Sequence, residues 1–293
     1  MRSLLFVPAD SERKLAKGVS SGADALILDL EDSVVPANRP VGRKLAAAFI
    51  AETRKSARRP LLYVRINPLD SDDWGADLEA VMPARPDGIV MPKPNSGDDV
   101  SRLAIAIDHG ENGGADGEGG PTRILPIVTE TPLSVLQLPT YVGASTRMIG
   151  MSWGAEDLGA VVGSLANRDE RGQFTSPYRL VRDLCLMTAA SAGVEAIDTV
   201  YVNFRDIAGL EAETREARRD GFTAKMAIHP DQVAPINAIF TPTEAEVAHA
   251  RAVIAAFDGA AGVASLNGMM LDKPHLKLAE KVLARAKEAG VIG

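Results

Sequence analysis

Cysteine is all but missing from this chain: its 293 residues include one, Cys185, so no disulfide can close within it. A lone thiol inside the apolar run "LCLMTAA" reads as a core side chain rather than a nucleophile, and the shortage fits a reducing, cytoplasmic setting. Aromatic residues are scarce as well, at 4% against 46% apolar residues, so the core must be built from Ala, Leu, Val and Ile. No long apolar run is present near the N-terminus either. "MRSLLFVPADSERK" offers one Arg and a four-residue apolar stretch before Pro8, too short for a signal peptide or a membrane span. Positive charge is in deficit: a net charge of −7 argues against nucleic acid or an anionic membrane as the main partner. It leaves room for a local basic pocket that takes an anionic metabolite.

What the chain does have is alternation. Apolar, β-rich runs at 3–7, 25–30, 61–66, 88–92, 124–128, 148–152, 199–202 and 225–229 read as strands. Helical patterns at 11–21, 39–55, 98–108, 177–193, 207–219 and 230–239 lie between or after them. Near-continuous apolar strands separated by helices indicate a parallel sheet covered on both faces. Eight such units favour a closed (β/α)8 TIM barrel over residues 1–240. The alternative, an open doubly wound sheet, lacks its glycine-rich turn, since "FVPADSERK" after the first strand has no glycine. The glycine cluster "GENGGADGEGGP" (110–121) runs from helix to strand, the wrong direction for a phosphate cradle, and reads as a surface connection. Residues 241–293 exceed what the barrel needs: a helix at 243–257, an apolar link at 262–268 and a last helix at 273–289. That extension must cover something, on this subunit or another.

Barrel enzymes build their sites at the C-terminal ends of strands. The ends here carry Asp29, Glu31 and Asp32 in "DLEDS", Arg65 in "YVRIN", Lys93 in "MPKP", Glu130 in "VTETP", Glu156 and Asp157 in "SWGAEDLG", and His229 in "AIHP". Glu130 and Asp157 follow adjacent strands. Two carboxylates brought together without a counter-charge repel, and a divalent cation such as Mg2+ removes the conflict. In the competing reading Glu130 caps the next helix and Asp157 pairs with a Lys or Arg. No Cys or His pair nearby favours Zn2+ or Fe2+. Arg65, inside an apolar strand, either points into the barrel mouth to meet a carboxylate or enolate oxygen, or pairs with Glu31 or Asp32. His229 suits a structural hydrogen bond at least as well as catalysis, and His109 and His249 read as surface helix residues. Asp272, in "MMLDKPHLKLA", precedes a helix with Leu276, Ala279, Leu283 and Ala286 on one face, and by spacing it is an N-cap.

Seven segments, "LLFVPADSERKLAK", "DALILDLEDSV", "YVRIN", "GIVMPK", "IVTETP", "SWGAEDL" and "GMMLDKPH", occur in order from residue 3 to residue 279. Together they resemble the HpcH/HpaI aldolase/citrate lyase family, in its citrate lyase β-subunit-like branch with malyl-CoA and citramalyl-CoA lyases. The resemblance implies a TIM barrel assembled as a homotrimer or larger oligomer. It implies Mg2+, with Mn2+ as a substitute, on Glu130 and Asp157, and substrate binding by Arg65. It further implies a substrate carboxylate held by the turn Gly154, Ala155, Glu156 and Asp157, with Glu31 and Asp32 as a supporting acidic cluster. Arg13 and Lys17 fall in the region that contacts CoA phosphates. Asp272 falls on the catalytic acid–base position of a C-terminal segment that closes over a neighbouring subunit's site. The implied reaction is reversible Claisen-type cleavage of a 3-hydroxyacyl-CoA into acetyl-CoA and a 2-oxo acid. Alternatives are an aldehyde acceptor, thioester hydrolysis or a malate synthase-like side activity, a citryl lyase subunit working on an acyl-carrier protein, and a non-catalytic metabolite-binding homologue.

Overall fold

The computed structural model describes residues 1–112, 120–258 and 262–293. Most of the glycine cluster, residues 113–119, lies outside the described residues. Eight parallel strands run β1 Ser3–Pro8, β2 Ala25–Asp29, β3 Leu61–Arg65, β4 Gly88–Met91, β5 Arg123–Pro126, β6 Gly150–Ser152, β7 Glu195–Asp198 and β8 Ala224–Ala227. They hydrogen-bond in the order β5-β4-β3-β2-β1-β8-β7-β6. Isolated parallel bridges, Ile124 to Met148 and Ile127 to Ser152, join β5 to β6 and close the sheet into a barrel. No strand order reversal remains for an open doubly wound sheet. Strands such as β2 are buried at every position, because helices cover the outer face while side chains fill the interior.

The helices are α1 Glu12–Val19, α2 Arg39–Thr53, α3 Trp74–Val81, α4 Gly97–Asn112, α5 Pro132–Leu136, α6 Glu156–Val162, α7 Ser176–Ala192, α8 Ile207–Asp220 and α9 Val233–Phe240. α1 starts at Ser11, whose hydroxyl accepts from the Lys14 N–H, and α8 at Asp206, whose carboxylate accepts from Gly209. The seventh strand is not at 199–202 but at Glu195–Asp198. "TVYV" has the β-branched and aromatic composition of a strand, yet "EAID" is the segment whose backbone reaches β6 and β8. Two short helices, α3 and α6, follow strands where the sequence pattern assigns no helix, and α5 is the helix expected after "TETP". α3 matters for the site. Arg43 on α2 binds Asp77 of α3 at 2.7 Å, and Asp77 accepts the Asn67 N–H at 2.8 Å, anchoring the loop after β3.

Lys225 on β8 is fully buried but paired, donating to Asp198 at 2.5 Å and to Glu213 at 2.9 Å. Asp198 also accepts from the Trp153 indole at 2.8 Å. This network ties β8 to β7, to α8 and to the loop after β6, a structural use of buried charge. Cys185 is buried, which pushes its thiol up and leaves it unionised.

The chain divides into two compact units, Arg2–Ile236, and Asn237–Gly293 with Met1, a boundary four residues ahead of the one at 240 suggested by the pattern. In the second unit, α10 Glu244–Ala256 opens on a reciprocal cap between Thr243 and Glu246. The apolar link at 262–268 belongs to an antiparallel hairpin, β9 Ala264–Leu266 and β10 Met269–Leu271, leading into α11 Lys273–Glu288. Ala250, Val253, Leu271 and Ala279 form this unit's core. Among the described residues no helix is long and apolar enough to cross a membrane.

Candidate active site

Strand register brings the first pair together. Asp29, the last residue of β2, is the registered neighbour of Arg65, the last of β3. Arg65 Nε and Nη2 donate to the two Asp29 oxygens at 2.7 Å each, a bidentate fork. Arg65 Nη1 lies 2.9 Å from Glu31 Oε2 and 3.8 Å from Asp32, and its guanidinium sits 4.8 Å above the Phe6 ring. The sequence puts Glu31 or Asp32 forward as the partner; the principal one is Asp29. Burial pushes the Asp29 carboxyl up, but the Arg65 fork outweighs it and holds the group below its ordinary range. Asp29 also accepts the N–H groups of Glu31 and Ser33, which fixes the turn carrying Glu31 and Asp32.

The second grouping centres on Lys93, just past β4. Its ammonium donates to Glu31, lies 3.1 Å from Asp32 and stands 3.2 Å from Asp157. Its own N–H donates to Glu130 Oε2 at 2.6 Å. Lys93 takes a φ of +50°, left-handed backbone that non-glycine residues rarely adopt.

Glu130 does not cap the helix after "TETP". Thr131 does, its hydroxyl accepting from the Ser134 N–H at 3.0 Å, which leaves the Glu130 carboxylate to the site. That carboxylate is 3% exposed. Burial, and then the charge of Asp157, push it up to about 8. Gly154 makes the fit possible: a Cβ there would fall 2.7 Å from Glu130 Cγ. Gly154 is held in turn by its N–H on Thr129 Oγ1 at 3.0 Å. Asp157 is in the first turn of α6, beside Glu156, and is one-third exposed. Its pairing with Lys93 is the ion-pair alternative that spacing allows.

Five carboxylates, of Asp29, Glu31, Asp32, Glu130 and Asp157, thus gather around two cations, Arg65 and Lys93. The cluster is short of positive charge, and the raised Glu130 carboxyl expresses that deficit. Its donors are oxygens, the set a hard divalent cation prefers, and Mg2+ needs only one or two carboxylates beside waters and substrate oxygens. Glu130 and Asp157 fit that role. Among the described residues no group of three or more His, Cys, Asp or Glu is placed to hold a metal alone.

Other candidates fall elsewhere. Arg13 and Lys17 are exposed on α1, and His109 and His249 are exposed on α4 and α10. His229 caps a short 3-10 turn, accepting the Asp231 N–H, and stacks on Phe204 at 4.8 Å. Asp272 caps α11, with its carboxylate 45% exposed and 2.6 Å from His275 Nδ1. Lys93 as the hub, Asp29 as the clamp, Gly154 as the spacer and His275 beside Asp272 are features that sequence reasoning missed. Asp29 and Arg65 are each the fifth residue of an apolar run, an offset that points to the pair only once the two strands are in register.

Known proteins resemble the chain over nearly its whole length. The chain is 36% identical to citrate lyase subunit beta of Escherichia coli (strain K12) over 99% of its length and 94% of that protein. It is 34% identical to a (3S)-malyl-CoA thioesterase of Cereibacter sphaeroides (strain KD131 / KCTC 12085), over 98% and 94%. Among solved structures, CitE from Mycobacterium tuberculosis in complex with magnesium, acetoacetate and coenzyme A superimposes with a TM-score of 0.78, at 32% identity over 98% of each chain. The family model HpcH/HpaI aldolase/citrate lyase matches residues 2–230, and the chain belongs to that family.

Proposed function

We propose that this chain is a Mg2+-dependent carbon–carbon lyase that cleaves and forms a 3-hydroxyacyl-CoA of the malyl-CoA or citramalyl-CoA type. The observation that carries the reading is the buried Glu130 beside Asp157, next to an Arg65 clamped by Asp29. Relatives solved with magnesium, acetoacetate and coenzyme A support the same assignment. Held by Glu130 and Asp157, the cation supplies Lewis acidity toward the hydroxyl and carboxylate of the acid half of the substrate.

The chain's own residues do the rest. Asp29 fixes the Arg65 guanidinium, and Nη1, which faces Glu31 at 2.9 Å and carries a second N–H, offers a charge-assisted hydrogen bond to the thioester oxygen as enolate character develops. With the Gly154 N–H committed to Thr129, the N–H groups of Ala155 and Glu156 in the same turn orient the substrate carboxylate. In cleavage the substrate hydroxyl releases its proton to solvent, the C–C electron pair moves onto the carbon next to the thioester carbonyl, the hydroxyl carbon becomes the 2-oxo carbonyl, and protonated Asp272 delivers its proton to that acetyl carbon; condensation reverses each transfer. Asp272 belongs to an exposed helix start in a unit of its own, so we place it over a neighbouring subunit's site in a homotrimer. Arg13 and Lys17, exposed on α1, receive CoA phosphates in this scheme.

A thioesterase reading is favoured by the Cereibacter sphaeroides relative. Product analysis separates the two. With malyl-CoA and Mg2+, a lyase yields acetyl-CoA and glyoxylate; hydrolysis consumes water and yields malate and free CoA. Full activity of either kind after EDTA treatment would sink the metal assignment.

A further inference from the structure

We propose that Lys93 is the cluster's resident counter-ion, neutralising it before a divalent cation binds and withdrawing from Asp157 when the cation enters. The inference rests on the reading of Glu130 and Asp157 as the metal ligands. It assigns to one residue two separable jobs: the main chain of Lys93 positions Glu130, and its side chain sets how tightly the metal is held.

Three features of the structure carry this. The ammonium is shared between Glu31, Asp32 and Asp157, so it is held by the same carboxylate that the metal requires. A cation on Asp157 would face that ammonium at short range, and like charges repel in inverse proportion to their distance. Withdrawal is also open to the side chain. It is 25% exposed, and two of its partners, Glu31 and the 57% exposed Asp32, are not the carboxylates assigned to the metal. Lys93 can therefore give up Asp157 without losing its other salt links. Finally, the backbone at Lys93 is in the left-handed region, where glycine would be at ease and a lysine is strained. What the conformation achieves is visible: the Lys93 N–H reaches Glu130 Oε2 while Nζ reaches Glu31, Asp32 and Asp157.

The metal and the ammonium then behave as two ligands competing for one charge, and the competition is reciprocal. Removing the ammonium should tighten metal binding by roughly 5–150-fold, the usual range of coupling between two ligands. The test is calorimetric titration of EDTA-treated full-length protein with Mn2+ and with Mg2+, comparing the wild type with Lys93→Gln and Lys93→Gly. Lys93→Gln removes the charge and leaves a polar side chain one atom shorter; Lys93→Gly also suits the left-handed backbone and preserves the N–H on Glu130. Tighter binding in both, with a lower melting temperature that metal restores, is the expected result. Equal or weaker binding in both, with normal binding by the wild type, would overturn this proposal alone. Failure of the wild type to bind either metal would overturn the ligand assignment, and this proposal with it. Should neither variant fold, amine acylation of the wild type followed by mass spectrometry decides: Lys93 must become several-fold more reactive when Mn2+ saturates the protein, and unchanged reactivity overturns the proposal.

Discussion

Replacing Glu130 by Gln removes one buried charge and keeps the size of the side chain, so it isolates what that carboxylate costs the metal-free fold. Burial and the nearby charge of Asp157 raise the Glu130 carboxyl from 4.5 to about 8. A group with a raised folded pKa holds its proton more tightly in the folded than in the unfolded chain. Its stabilising contribution is complete below pH 4.5, drains away as the pH climbs, and is gone above about 8. The interval is about 3.5 on the pH scale at 1.36 kcal/mol per pH unit, on the order of 5 kcal/mol in all. The Gln variant carries no such slope. Urea unfolding in EDTA at steps from pH 6 to 9 should show its advantage over the wild type widening by up to ~1.4 kcal/mol per pH unit and then levelling above pH 8. Saturating Mg2+ should recover stability in the wild type, by RT ln(1 + [Mg2+]/Kd), and leave the variant unmoved. Parallel stability–pH curves for the two proteins in EDTA would refute the argument.

Gly154→Ala should press a methyl against Glu130 Cγ at 2.7 Å and displace the carboxylate; overpacking of this kind costs about 1–3 kcal/mol, so Mn2+ affinity should fall roughly 5- to 150-fold by titration. Unaltered affinity would mean that Glu130 has room to spare. Asp272→Asn keeps a good N-cap for α11, so the fold should be unaffected while kcat falls by a factor on the order of 10²–10⁴ with KM nearly constant. Unchanged turnover returns Asp272 to a capping role.

The barrel was legible because its strands are buried on both faces and so spell out continuous apolar runs, as in "ALILDL" and "GIVMP". The seventh strand was misplaced because "EAID" opens with an exposed Glu and ends in Asp198, whose charge is satisfied by Lys225, Trp153 and Arg182 from other elements. Composition carries no record of such partners. The short helices α3 and α6 escaped because seven or eight residues span only about two turns, too few for an apolar stripe to recur. At the site, residue types at strand ends were readable, while their pairing was not. That Asp29 clamps Arg65 is decided by β2–β3 register, and that Lys93 reaches two sides of the cluster is decided by one backbone angle.

The way the barrel closes has a mechanical consequence. Every other neighbouring pair of its strands shares a continuous ladder, but among the described residues β5 and β6 meet only through isolated bridges. Glu130 follows one of these strands and Asp157 the other. A cation shared between them would act as a clasp across the loosest joint of the wall. Amide hydrogen exchange should then slow at 124–128 and 148–152 on adding Mg2+ and stay constant in β1 to β3, and uniform protection would dismiss the idea. On this view the wall breathes on the side where bonds are broken, and loading the cation is what latches it.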